Sequence, residues 1–218
     1  MEPASDQLSG PVPLRAAVLD GWFEDMAGEE ARAAVAAVAE VLGAGVRTTL
    51  AWAETARSAA FLITAASGAN LHRANLRSRP GDFDPATRGR LLAGGLLPAD
   101  ALLQAQRLRR RFYDEAMAAF GQFDLLLAPA TPCPAPLLGQ RSIVIGGREA
   151  PTRPNLGVLS QPISAIGLPV LTVPIRLGAL PIGVQLIAAP WREDIVFQAA
   201  ARLQAAGVTS APVVDPCA

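Results

Sequence analysis

Few side chains in this 218-residue chain have the chemistry for covalent catalysis. There is one histidine, His72, and there are two cysteines, Cys133 and Cys217; Thr131, Ser160 and Ser164 add hydroxyls in loop-like sequence. A serine or cysteine nucleophile needs a base within hydrogen-bond reach, usually a histidine or a neutral lysine. The chain has no lysine at all: its 19 cationic side chains are all arginine. A guanidinium that stays protonated accepts no proton, so no base is evident for Ser160 or Ser164. Cys133, also without a base partner, reads as a packing residue. His72 lacks the companions of a metal site; it is either a structural or exposed imidazole or a substrate contact.

Composition narrows the classes further. Half the residues are apolar and 17% are charged, which excludes a disordered polyelectrolyte and indicates a packed body. Acids and bases balance at 19 each, so there is no general basic footprint for nucleic acid. Arg107, Arg109, Arg110 and Arg111 form a local cluster, read as a solvated helix face or as a patch for an anionic substrate or partner. Two distant cysteines suggest neither a disulfide framework nor a zinc site, and a reducing cytoplasm is the expected compartment. No stretch is apolar enough for a membrane span, and the N-terminus has no signal-peptide pattern.

The elements that must position these residues are legible from periodicity. Residues 1–13, rich in Pro, Ser and Gly, read as a linker or truncated edge, and 211–218 as a tail. Residues 14–19 read as a strand, 29–42 as a helix with acids in its first turn, and 46–50 as a second strand. Strand, helix and strand in that order predict a parallel pair. Further helices are expected over 53–71 and 98–120, the latter with Leu102, Leu103, Leu108, Phe112, Met117 and Phe120 on its apolar face. Pro80-Gly81 marks a break between them. Strands are expected over 124–128, 170–175 and 182–187, with an aperiodic Pro-rich connection over 129–154 and a last helix near 192–206.

Three segments carry a more specific signal. They are Asp124-Leu125-Leu126-Leu127-Ala128-Pro129-Ala130-Thr131-Pro132-Cys133-Pro134, then Ile166-Gly167-Leu168-Pro169-Val170-Leu171-Thr172-Val173-Pro174, then Leu180-Pro181-Ile182-Gly183-Val184-Gln185-Leu186-Ile187-Ala188. In this order and spacing they resemble the C-terminal part of amidase signature enzymes. Gln161-Pro162-Ile163-Ser164, Ala189-Pro190-Trp191-Arg192-Glu193-Asp194 and Gly68-Ala69-Asn70-Leu71-His72 are similar to the carboxybiuret hydrolase branch. They extend the likeness over nearly the whole of residues 14–210, the expected partial domain.

The resemblance implies an α/β fold, a mixed β-sheet flanked by helices, as the C-terminal half of the amidase signature fold. It also implies C–N hydrolysis of small linear amides by a serine, relayed through a cis-peptide serine to a neutral lysine. None of that machinery is in this sequence: it has no lysine, no Gly-Gly-Ser-Ser run and no Ser-Gly-Gly-Ser loop. No catalytic residue, metal or cofactor is therefore carried over. What can remain is the far wall of a substrate pocket, expected at Thr131, Pro132, Ser160, Gln161 and His72; for Thr131 and Pro132 the competing reading is a rigid surface loop.

The expected function is that of an amidase half, inactive alone, whose complete enzyme takes a small amide such as carboxybiuret. The alternative is a non-catalytic interaction module. Its expected partners are a second copy or a small helical companion, with neither nucleic acid nor membrane. A half-sheet exposing hydrophobic edges is expected to aggregate.

Overall fold

A computed structural model describes residues 14–210. The linker expected over 1–13, the tail expected over 211–218 and Cys217 lie outside the described residues. The chain opens with β1 (Ala16–Leu19), the short α1 (Trp22–Asp25), α2 (Glu29–Leu42) and β2 (Val46–Thr48). Glu29 and Glu30 face the positive end of the α2 dipole, and α2 buries Ala31, Ala34, Val35, Val38 and Leu42 on one stripe. The helix is the crossover between two parallel strands, with Ala17 opposite Val46 and Leu19 opposite Thr48.

A helical layer follows: α3 (Ala53–Leu71), α4 (Arg73–Ser78), a 3₁₀ turn at Pro80–Asp82, α5 (Pro85–Gly94) and α6 (Ala99–Phe120). Sequence periodicity passes over α5, which is poor in large apolar residues. Its start is set locally: the Asp84 side chain accepts from the Thr87 amide at 3.0 Å, and Pro85 stands in the first turn. The apolar face expected on α6 is only partly the buried one. Phe112 is fully buried, but the close contacts are made by Ala105, Ala116 and Ala119, and Leu103 is 59% exposed. α3 likewise buries Ala53, Ala56, Ala59, Ala60, Ala65 and Ala69. Small side chains let helices approach until no larger group fits. At Gly94, where α5 crosses α3, a Cβ would lie 2.2 Å from the Ala65 carbonyl oxygen.

The chain then enters β3 (Leu125–Pro129), β4 (Ser142–Ile145), β5 (Arg148–Pro151), α7 (Thr152–Asn155), α8 (Gln161–Ala165), β6 (Val170–Ile175), β7 (Ile182–Ala188) and α9 (Glu193–Ala205). The strands form one sheet in the order β2-β1-β3-β7-β6, plus the separate hairpin β4-β5. β1, β2 and β3 are parallel, and β7 is antiparallel to both β3 and β6. The hairpin corrects the expectation of an irregular connection over 129–154. Gly146 and Gly147, at φ 56° and 74°, supply the two left-handed residues of a tight hairpin turn, while Ile143 and Ile145 point inward.

β1 and β3 are buried throughout, the condition of strands covered on both faces. α2 and α9 cover one face; α3 packs on α5, α6 and α8 as the other layer, and Phe112, Ala116 and Ala119 of α6 join the sheet's core. At the amino ends of β1 and β3, the Asp124 carboxylate accepts from the Arg15 amide at 3.0 Å and from its guanidinium at 3.1 and 2.8 Å. That clamp fixes the register of the parallel pair.

Leu126→Ala, in the middle of β3, is expected to lower unfolding free energy by about 2–5 kcal/mol. Leu103→Ala is expected to change it by less than about 0.5 kcal/mol. Urea denaturation midpoints of the two variants measure the contrast.

Candidate functional site

Because β1, β2 and β3 are parallel, their carboxyl ends open on one side, where ligands gather in open α/β sheets. The loops leaving those ends are braced individually. After β2, the Glu115 carboxylate of α6 accepts the amides of Ala51 at 2.7 Å and Trp52 at 3.2 Å. Arg111 lies 3.9 Å from the Trp52 ring centroid, and its neighbour Arg110 pairs with Asp114 at 2.8 Å. Of the arginine cluster in the sequence, Arg111 thus braces a loop and Arg110 is in an intrahelical ion pair, while Arg107 and Arg109 are exposed. After β1, the Gly28 amide donates to the Pro132 carbonyl at 2.7 Å, and a Cβ at position 28 would lie 2.8 Å from that oxygen. Only a residue without a side chain brings the start of α2 this close to the loop after β3.

Gln185 of β7 is 2% exposed. Its amide donates to the Pro129 carbonyl at 2.8 Å and to the Leu159 carbonyl at 3.3 Å. One buried side chain thus joins the loop that begins at the end of β3 to the segment entering α8, so Thr131 and Pro132 share a region with Ser160 and Gln161. Within it, the Thr131 hydroxyl donates to the Cys133 carbonyl at 2.9 Å, Pro132 is buried, and the Ser160 hydroxyl donates to the Gly157 carbonyl at 3.3 Å. Gln161 accepts from Arg57 at 3.1 Å. His72 is elsewhere: it caps the far end of α3, roughly 22 Å from Arg57 at 1.5 Å per residue, and meets the Phe83 ring edge-on at 5.6 Å. Burial and the charge of Glu30 push the Cys133 thiol above its ordinary range, which keeps it protonated and poorly nucleophilic.

Two hollows open near these loops. One, of about 670 Å³, runs along α2 and the β2 edge, with Val18, Leu19, Phe23, Val35 and Ala39 among its walls. The other, of about 930 Å³, is a cleft between α1, the first turns of α3 and the β4-β5 hairpin, lined by Trp22, Asp25, Arg32, Glu54, Arg57, Arg148, Glu149 and Asn155 among others. The second gathers charged and hydrogen-bonding groups at the carboxyl ends of the strands and is the candidate site. None of the residues expected from the sequence lines this cleft; Gln161 meets it only through its hydrogen bond to Arg57, and the sequence did not single out Arg57 or Trp22. The available signal was an arginine inside the alanine stripe of α3, four residues after Ala53 and three before Ala60, on the face turned toward packing.

The hairpin wall is held by an ion pair. Arg153, just beyond β5, donates to Asp84 at 3.2 Å and approaches its other oxygen at 3.0 Å. That guanidinium, together with the Thr87 amide, holds the Asp84 carboxyl down at about 2. Among the described residues no group of three His, Cys, Asp or Glu could hold a metal ion. Among them, too, no helix is long and apolar enough to cross a membrane.

The sequence matches the amidase family over residues 10–197, and the chain, a five-stranded mixed sheet with helices on both faces, belongs to the amidase signature family. Among particular proteins, it is 45% identical over 212 residues to AtzE, a 1-carboxybiuret hydrolase subunit of Pseudomonas sp. (strain ADP), covering 95% of this chain and 46% of that protein. It is 36% identical over 154 residues to a glutamyl-tRNA(Gln) amidotransferase chain of Zymomonas mobilis, covering 66% of this chain and 30% of the relative. A solved structure described as an unexpected vestigial protein complex that reveals the evolutionary origins of an s-triazine catabolic enzyme superposes with a TM-score of 0.92 at 44% identity, over 98% of this chain and 48% of that one. The chain therefore spans about half the length of these relatives or less.

Gln185→Leu removes the buried side-chain donor to the Pro129 and Leu159 carbonyls and is expected to cost about 1–3 kcal/mol, read as a lower melting temperature. The Asp84 carboxyl has a pKa depressed from 3.8 to about 2, so its contribution to stability is complete above about pH 4 and is lost as pH falls toward 2. Asp84→Asn is expected to flatten that acid-side fall, as melting temperatures across this pH range would show.

Proposed function

We propose that these residues form the substrate-wall half of an amidase signature hydrolase that cleaves C–N bonds of small amides, with carboxylated urea derivatives such as carboxybiuret as its substrates. The observation that carries this reading is the 45% identity, over almost the whole chain, to a protein of 1-carboxybiuret hydrolase. The cleft at the carboxyl ends of β1 and β2 supplies the pocket wall, and Thr131, Pro132, Ser160 and Gln161 support it from behind. His72 is proposed as a peripheral contact only. The lysine base is not among these residues, because the sequence contains no lysine, and the Gly-Gly-Ser-Ser and Ser-Gly-Gly-Ser segments that would go with the nucleophile are absent too. The 218 residues alone are proposed to be catalytically silent.

A second reading, an interaction module, is favoured by the open edges of the sheet. β2 has only three residues and leaves Val46 53% exposed beside the apolar hollow; β6, the opposite edge, leaves Val170 37% exposed at its start, while Thr209 bridges Ile175 at its end. Such edges pair with other strands. The proposed partner is a second copy or a small helical companion.

The purified chain is expected to release no ammonia from biuret or simple amides. Mixed with the N-terminal half of the Pseudomonas relative, it is expected to gain turnover. Turnover by the chain alone that a single substitution within it abolishes would overturn the hydrolase-half reading. On size exclusion the isolated chain is expected to be polydisperse; a single species with a cooperative melt would favour the module.

A further inference from the structure

We infer that the outer edge of β6 at Val170 and Thr172 is an acceptor site for one further strand, and that this strand belongs to the amidase half these residues lack. This deepens the hydrolase-half reading and rests on it for the occupant. β6 ends the sheet, and its alternation decides which backbone groups are open. The Pro169 carbonyl accepts from the Ala188 amide at 3.0 Å, toward β7. The Pro174 carbonyl accepts from the Thr209 hydroxyl at 2.7 Å, away from β7. Peptide groups of alternate residues point to opposite edges in an antiparallel ladder. Leu171, Val173 and Ile175 therefore bond to their partners Leu186, Val184 and Ile182, and the N–H and C=O groups of Val170 and Thr172 face outward. Pro174, also outward, has no N–H to offer, and the bridge from Thr209 to Ile175 closes that end. Among the described residues no strand lies beside Val170 and Thr172 on their outer side.

The two edges of the sheet are not alike. β2 carries the devices that keep an edge unpaired: it is three residues long, and Arg47 at its centre is ion-paired with Glu24 and Asp20. β6 has no such guard where it is open. From Pro154 to Ile175 no residue is charged. Val170 is 37% exposed and Thr172 is exposed, whereas β7 beside them is buried at every position but Gly183. An uncharged edge with spare donors and acceptors is complementary to an uncharged strand. Length points to the source of that strand. The chain spans 46% of its Pseudomonas relative and 48% of the superposed structure, so each of those proteins holds about as much chain again. A second copy of this chain is the competing occupant.

The test is amide hydrogen exchange of the 218-residue chain, alone and co-expressed with the N-terminal half of the Pseudomonas relative. The Val170 and Thr172 amides are expected to exchange fast in the chain alone and at least about a hundredfold more slowly in the complex, while Leu171 and Val173 are protected in both. Thr172→Pro removes only an outward N–H. It is expected to weaken capture of the other half at least about tenfold, the size of one or two hydrogen bonds. Val170→Lys charges the edge and leaves the backbone intact; it is expected to do the same and decides the matter should Thr172→Pro fail to fold. Val46→Lys, on the β2 edge, is expected to leave capture unchanged. Absence of a complex, capture indifferent to both β6 substitutions, or capture lost with Val46→Lys alone overturns the inference. Protection of Val170 and Thr172 that grows with concentration in the chain alone assigns the edge to a second copy and overturns it too. Ammonia release by the complex separates the two claims. Alternating protection without turnover sinks the hydrolase reading alone; turnover indifferent to both β6 substitutions sinks the edge assignment alone.

Discussion

The structure turns on β3. Leu125, Leu126, Leu127 and Ala128 are fully buried, and the strand is hydrogen-bonded on both edges, parallel to β1 and antiparallel to β7. A strand enclosed on four sides tolerates no unpaired backbone group and no charge, so every polar requirement is displaced to its ends. At the amino end Asp124 and Arg15 satisfy it with three hydrogen bonds. At the carboxyl end Gln185 reaches across from β7 to the Pro129 carbonyl. The change of direction between β3 and β7 is also what brings the loop after β3 beside the segment entering α8.

From that constraint the cleft follows in order. Gly28 and Pro132 lock the loop after β1 to the loop after β3; Glu115 and Arg111 lock the loop after β2 to α6. Arg57, one turn into α3, is then presented to whatever lies between those loops and the hairpin. Its neighbours are amides and a carbonyl, which aim a guanidinium without neutralising it.

Much of the fold was legible in the sequence because its elements are locally consistent. The 3.6-residue stripe of α2, the acids in its first turn and the β-branched run at Val46 point to the same parallel unit that the structure contains. The C-terminal strands were equally plain, since Val170 to Ile175 and Ile182 to Ile187 are short apolar runs between Gly and Pro. What escaped was set by polar or minimal side chains. α5 depends on the Asp84 cap rather than on an apolar face, the β4-β5 hairpin on two consecutive glycines, and the contact face of α6 on alanines that a search for leucines overlooks. Gln161, which meets the candidate site only through Arg57, lies near an extended segment that stands out in sequence. Arg57 and Trp22 depend on the crossing of α3 with the α7-α8 segment and on the turn after β1, contacts that no local pattern encodes.

The alanine-built packing of the helical layer has a consequence for how this protein can change over time. Where α3 meets α5 and α6, the contacting groups are already near the smallest available, and at Gly94 even one further carbon would strike the Ala65 backbone. Leu91 and Phe112 apart, truncation has little to remove there, and at Gly94 enlargement has nowhere to go. Inherited variation is therefore channelled away from the helical layer and into the hairpin and cleft-lining turns, so the lining of the cleft can drift while the frame that carries it stays nearly fixed.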